Sequence, residues 1–132
     1  MQTLEFSVPL YEIGVKLVQV EKPDDWGDVE MLCDTFGLDE EMTKAVAEHV
    51  SNNQKNGGDT FRNFEKGKML VIFYAMDSDK VRANRYAHEK RHIEDRILQW
   101  CGVDDIEASA YLAGFIGEKM YELSCKCKTV DD

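Results

Sequence analysis

The segment His88-Glu89-Lys90-Arg91-His92 contains the residue types best suited to chemistry in this sequence. In a helix, residues four positions apart project from the same side, so the imidazoles of His88 and His92 can reach one Zn²⁺ ion at about 2.0–2.1 Å. A glutamate directly after the first histidine can act as the general base for a water molecule on that metal. The spacing therefore predicts a zinc site with two histidine ligands and Glu89 as the catalytic base.

A strand and two long helices are predicted to position this segment. The nearly continuous apolar run at residues 69–76 is typical of a central strand. The sequence Asp-Ser-Asp at residues 77–79 offers an N-cap for a helix over about residues 79–101, which contains both histidines. After a short break, a second helix is predicted over about residues 105–123. These two helices would form the metal site.

The rest of the chain predicts a small α+β fold. Alternating apolar and polar residues indicate strands, and acidic first turns with Gly37 as a stop signal indicate helices. The element order β-β-α-α-β-β-α-α predicts a single domain over residues 1–132, with a small antiparallel sheet packed against about four helices. The further elements are strands at about residues 3–8, 11–20, 60–64 and 68–74 and helices at about residues 25–36 and 39–50.

Composition excludes several classes of function. The chain has 132 residues, with 16 Lys and Arg against 26 Asp and Glu, which gives a net charge of -10. This acidity argues against general nucleic-acid binding, which depends on Lys and Arg neutralising phosphates. No apolar run approaches the roughly 18 residues that cross a bilayer, and the N-terminus lacks the pattern of a secretion signal. We therefore expect a cytoplasmic protein without a membrane partner, and the oligomeric state is left open.

The cysteines fit that compartment. Cys125 and Cys127 are separated by one residue, whereas zinc knuckles use two intervening residues, and the sequence offers no second half-site. Disulfide frameworks belong mainly to short secreted chains. We interpret all four cysteines as reduced thiols, and the role of the C-terminal pair stays open.

Residues 68–123 resemble small metallopeptidases of phages and mobile elements that are themselves predicted from sequence. The shared pattern is a strand, a helix with H-E-x-x-H, and a second helix that opens with Glu-Ala-Ser-Ala-Tyr at residues 107–111. The resemblance implies a minimal zincin-like fold of the glutamate type, in which a glutamate on the second helix completes the metal site.

The resemblance also implies roles for individual residues. His88, His92 and Glu107 would be the metal ligands, and Glu89 would be the base. Tyr111, one turn beyond Glu107, would donate a hydrogen bond to a developing oxyanion.

Some residues depart from this pattern or allow a structural interpretation. Lys90 and Arg91 are charged, whereas the family usually has uncharged residues between the glutamate and the second histidine. Glu107 also fits a capping box with Asp104, which is a purely structural role. If Glu107 only caps the helix, Asp95, one turn after the second histidine, is the alternative third ligand.

Two functions are therefore expected. The first is a zinc-dependent hydrolase of the metallopeptidase type, acting on a peptide or protein. The second is a non-catalytic interaction or regulatory protein of a phage or mobile element, in which the zincin-like helix holds a structural metal or none.

The helix with the histidines also has a basic side. We interpret it as an internally paired, solvated face, with contact to nucleic acid or to an acidic partner as the alternative. Trp100 is interpreted as a packing residue. The basic residues are Lys80, Arg82, Arg85, Lys90, Arg91 and Arg96.

Overall fold

The computed structural model describes residues 1–127, which form a four-stranded sheet with two helices on each face. The strands are β1 (Gln2–Val8), β2 (Ile13–Gln19), β3 (Gly58–Asn63) and β4 (Lys68–Phe73). The helices are α1 (Trp26–Phe36), α2 (Glu40–Ser51), α3 (Asp79–Cys101) and α4 (Ile106–Lys126). Short 3₁₀ turns at Pro23–Asp25 and Phe64–Lys66 complete the described elements. The predicted α+β class and the predicted order of strands and helices are confirmed.

The sheet is mixed, with strand order β1-β2-β4-β3. β1 pairs with β2 and β3 pairs with β4 in antiparallel hairpins, but the inner strands β2 and β4 run parallel. This parallel pair corrects the expectation of an antiparallel sheet. Each hairpin is determined by its own turn, whereas the pairing between the hairpins joins distant segments and depends on how the helices cover the sheet.

Both faces of the sheet are covered, which explains why residues 69–73 of β4 are all buried. On one face, α3 and α4 pack against the sheet, with α3 contacting β3 and α4 contacting β1. On the other face, α1 and α2 form a second core with strand residues such as Val18 and Ile72. None of the described helices is long and apolar enough to cross a membrane.

Local signals determine where α3 begins and ends. The hydroxyl of Ser78 accepts a hydrogen bond from the backbone N–H of Val81 at 3.1 Å, as an N-cap does. Gly102 adopts a left-handed conformation with φ of 67° and ends the helix. Tyr86, Ile93 and Ile97 are buried against the sheet, so the opposite flanks of α3 are available for other contacts.

The four cysteines are free thiols in the structure. Burial raises the pKa of Cys33 to about 11, so this thiol stays protonated at neutral pH and behaves as a small core residue. Cys101 and Cys125 are exposed, and Cys127 is half-buried beside Tyr86. The interpretation of the cysteines as ordinary thiols agrees with this arrangement.

Candidate metal centre

His88 and His92 lie on the flank of α3 that borders the edge strand β3. Their Nε2 atoms are 3.1 Å apart, and the two rings meet edge to face with centroids separated by 4.8 Å. Two nitrogen ligands of one tetrahedral zinc ion, each about 2.05 Å from the metal, lie about 3.4 Å apart. Without a metal, this spacing is that of a hydrogen bond between the two imidazoles, and it is close to the separation of two ligands of one ion.

Glu89 is held at the base of the same cleft, where only 3% of the residue is exposed. The hydroxyl of Thr60 on β3 donates a hydrogen bond to Oε1 of Glu89 at 3.0 Å. The other oxygen, Oε2, lies 3.8 Å from Nη1 of Arg85 and 3.8 Å from Nε2 of His88. The potential ligand atoms of His88, Glu89 and His92 all lie within 4.8 Å of one another. The three residues of the motif thus converge on one small volume.

Strand β3 approaches α3 closely at Gly58. A methyl group added there would lie 3.2 Å from Cγ of Glu89 and 3.3 Å from the carbonyl oxygen of Ile72. The absence of a side chain at this position lets the Glu89 side chain pack directly on the strand. The sequence offered only a weak signal for this, because adjacent glycines such as Gly57 and Gly58 are also typical of surface loops.

Thr60 is a positioning residue that the sequence did not reveal. We expect Thr60→Val to lower the free energy of unfolding by about 1–2 kcal/mol, because the buried Oε1 of Glu89 would lose its hydrogen-bond donor. Urea unfolding followed by circular dichroism measures this change. Thr3→Val on the other edge strand is the matched control and should change stability by less than about 0.5 kcal/mol. Equal losses in the two variants would contradict the role of Thr60.

The structure does not bring Glu107 to the histidines. Asp105, not Asp104, caps α4, because its carboxylate accepts a hydrogen bond from the backbone N–H of Ala108 at 2.9 Å. Glu107 therefore occupies the first turn of α4, where its exposed carboxylate complements the positive end of the helix dipole. The expected capping box with Asp104 is corrected in the same way.

The packing of α4 against α3 explains why Glu107 is remote. A methyl group on Gly117 would contact Cε of Lys90 at 3.5 Å, so α4 faces the Lys90 side of α3. His88 and His92 each point about 160° away from Lys90 around the helix axis. Ten residues back from Gly117, Glu107 lies level with the end of α3, about 12 Å along the axis from His92. Helix rotation and axial distance both separate Glu107 from the site.

Asp95, the alternative third ligand, also lies outside the group. Its Oδ2 pairs with Nε of Arg91 at 3.3 Å on an exposed part of α3. In the part of the chain that the structure describes, the group of possible ligands around the histidines consists of His88, Glu89 and His92. Among residues 1–127, Glu89 is therefore the one carboxylate that belongs to the group with both imidazoles.

Tyr111 lies on the opposite side of the molecule from the cleft. Its ring stacks on Phe115, with centroids 6.4 Å apart, and Phe115 packs edge-on against Phe6 of β1 at 5.8 Å. β1 and β3 are the two opposite edges of the sheet. The structure thus places Tyr111 where it cannot donate a hydrogen bond to a group bound at the histidines, which corrects that expectation.

Two arginines shape the electrostatics of the cleft, which has a volume of about 210 Å³. Arg85 and Arg96 line it together with the His-Glu-His group and residues 58–60 of β3. Their positive charge opposes a bound cation and favours an anionic ligand beside it. The cleft is therefore suited to a metal that carries or faces an anionic partner.

Comparison with known protein families, curated proteins and solved structures gives no match to this chain.

Proposed function

We propose that this protein is a zinc-dependent hydrolase in which His88 and His92 bind the metal and Glu89 acts as the general base. The observation that carries the proposal is the 3.1 Å spacing of the two Nε2 atoms beside a buried carboxylate. When bound, Zn²⁺ would act as a Lewis acid and would lower the pKa of a bound water molecule to about 7.

Glu89 is better placed for a base than for a third ligand. Its Oε2 is 3.8 Å from Nε2 of His88, longer than the roughly 3.4 Å that separates two ligand atoms of one tetrahedral ion. Thr60 holds Oε1, so the second oxygen is the one directed at the histidines. A water molecule between the imidazoles and this oxygen could transfer its proton to Glu89 as it attacks a carbonyl carbon.

The same geometry supports a non-catalytic metal-binding protein as the second candidate. The group contains one carboxylate, and a small rotation of Glu89 would bring it to the metal as a third ligand. No separate base would then remain among residues 1–127 of the cleft, and the bound ion would serve structure or partner binding. The two candidates differ in whether Glu89 can be neutralised without loss of the metal.

The substrate class and the compartment also belong to this proposal. We take the substrate to be a peptide or protein segment, since the cleft is open along the edge of the sheet. A cytoplasmic location is consistent with the four free thiols, because reducing compartments preserve them.

The zinc content of the protein tests the proposal directly. After purification without chelators, the wild type should contain about one zinc ion per chain, and His92→Ala should lose most of it, since one of the two histidine ligands is removed. His49→Ala, on α2 at the other face of the sheet, is the matched control and should retain the metal. Hydrolysis is followed with fluorescein-labelled casein as the probe.

Each outcome has a definite meaning. Wild-type protein that contains no zinc and gains none from added Zn²⁺ would overturn both metal-dependent candidates. Zinc that is retained without hydrolysis of casein would favour the non-catalytic candidate. Zinc-dependent hydrolysis that His92→Ala removes would support the enzyme.

A further inference from the structure

A second, larger cleft lies next to the histidine cleft, towards the C-terminal end of α3. Arg96 lines both clefts, and the larger one has a volume of about 450 Å³. It lies between the end of α3 and the segment that leaves β3. We call it the arginine–tryptophan groove and define it by Arg62, Phe64, Arg96, Gln99 and Trp100.

Trp100 presents an aromatic surface to solvent in this groove. The residue is 57% exposed, so only part of its surface is used in packing. Its ring is supported from one side by Phe64, with centroids 5.4 Å apart. A large aromatic side chain that is fixed in place and exposed is a typical platform for an apolar or aromatic group of a ligand.

Arg62 and Arg96 differ from the other arginines of this region. Arg91 pairs with Asp95, and Arg85 approaches Glu89. No carboxylate of residues 1–127 lies within ion-pairing distance of either Arg62 or Arg96. The chain has a net charge of -10, so a groove with two guanidinium groups that lack an acidic partner differs from the acidic character of the whole chain.

The carboxylates near the groove do not cancel this charge. Asp59 accepts a hydrogen bond from the hydroxyl of Tyr74 at 2.7 Å, and Glu89 is held by Thr60 in the histidine cleft. Glu65 also lines the groove, but it is exposed to solvent and forms no ion pair with Arg62 or Arg96. The groove therefore offers two guanidinium groups beside one aromatic platform.

We propose that the arginine–tryptophan groove binds a short acidic peptide segment in which carboxylate side chains flank an aromatic residue. The carboxylates would pair with Arg62 and Arg96 in the bidentate manner that arginine favours, and the aromatic side chain would stack on Trp100. Two arginines match two carboxylates. A nucleic acid carries a charge on every nucleotide and needs a longer basic track, which the acidic surface of this chain does not provide.

Arg96 borders both the groove and the histidine cleft, so the two clefts are neighbours on the same side of α3. A peptide held there would present its backbone to the His-Glu-His group, so the proposal names the substrate class of the hydrolase and rests on the proposed function to that extent. Binding in the groove itself requires no metal. It can be measured in the presence of excess EDTA, which separates the two proposals.

Fluorescence anisotropy with labelled acetyl-Glu-Asp-Phe-Glu-Asp-amide tests the groove. We expect saturable binding in EDTA. The neutral peptide acetyl-Gln-Asn-Phe-Gln-Asn-amide should bind with an affinity that is lower by a factor of about ten or more. Arg62→Gln and Arg96→Gln should each weaken binding of the acidic peptide about fivefold, and Trp100→Ala should have a similar effect. Lys44→Gln, an exposed cation on α2, should leave the affinity unchanged.

Three results would overturn the proposal. They are the absence of acidic-peptide binding, equal affinity for the acidic and neutral peptides, and tighter binding of a thymidine oligonucleotide with the same net charge. Unfolding midpoints equal to wild type show that a variant has lost contacts rather than its fold. Peptide binding without any hydrolysis in the presence of zinc would contradict the enzyme proposal but would support the groove proposal.

Discussion

Glu89→Gln is expected to reduce zinc-dependent hydrolysis by about 10²- to 10⁴-fold while the protein keeps its fold and its bound zinc. The expected loss is the typical contribution of a positioned general base. The amide of glutamine cannot accept the proton of the attacking water, although it has nearly the same shape as the carboxylate. The measurement compares initial rates of casein hydrolysis with zinc content determined by atomic absorption on the same preparations.

The contacts that Glu89 makes with its neighbours should be retained when it is replaced by glutamine. The Thr60 hydroxyl can still donate a hydrogen bond to the amide oxygen of glutamine, so the contact between α3 and β3 is retained. The Arg85 guanidinium is 3.8 Å away and one-third exposed, so water can solvate it when the negative charge is removed. The packing against Gly58 involves Cγ, which both residues share.

Glu118→Gln on the exposed side of α4 is the matched control, and it should leave both activity and zinc content unchanged. Loss of zinc together with activity in Glu89→Gln would show that Glu89 is a ligand, which favours the non-catalytic candidate. Hydrolysis at the wild-type rate would exclude Glu89 as the base.

The parts of the fold that depend on neighbouring residues were predictable from the sequence. The caps of α3, the stop at Gly102 and the two hairpins follow from local turn and capping chemistry. The parallel pairing of β2 with β4 was not predictable, because it joins segments that are far apart in the chain and is determined by packing on both faces. The residues within each hairpin do not determine which of its edge strands pairs with the other hairpin.

The candidate site likewise has features that the sequence predicts and features that depend on tertiary packing. The approach of His88 and His92 follows from their spacing on one helix, and the structure shows it. Thr60 and Gly58 come from β3, so their contacts with Glu89 depend on tertiary packing that spacing along α3 cannot express. The distance to Glu107 depends on which side of α3 faces α4 and on the axial offset of the two helices, and the pattern of residues 107–111 determines neither.

Lys90 departs from the metallopeptidase pattern, and its structural environment explains why. Its ammonium lies 2.6 Å from Oε2 of Glu94, whose side chain is almost completely buried. Arg91 is more distant from the same carboxylate, at 4.0 Å from Oε1. A methyl group added at Gly117 of α4 would lie 3.5 Å from Cε of Lys90, so this side chain lies next to α4. Lys90 therefore neutralises a buried charge between the two helices, on the side of α3 that faces away from the histidines.

Lys90→Ala is expected to lower the free energy of unfolding by about 3 kcal/mol, because it leaves the carboxylate of Glu94 buried with only a distant partner. Zinc content should be unchanged, since Lys90 and the histidines lie on opposite flanks of α3. Urea unfolding at neutral pH measures the loss.

The double variant Lys90→Met with Glu94→Leu separates the charge from the packing. It should recover wild-type stability or exceed it, because replacing a buried ion pair by apolar residues of similar volume is often neutral or stabilising. A Lys90→Ala variant within about 0.5 kcal/mol of wild type would mean that water or Arg91 compensates Glu94. Loss of zinc in the double variant, with the fold intact, would instead couple this side of α3 to the metal centre. The charged residues inside the H-E-x-x-H segment would then contribute to the site as well as to the packing of the two helices.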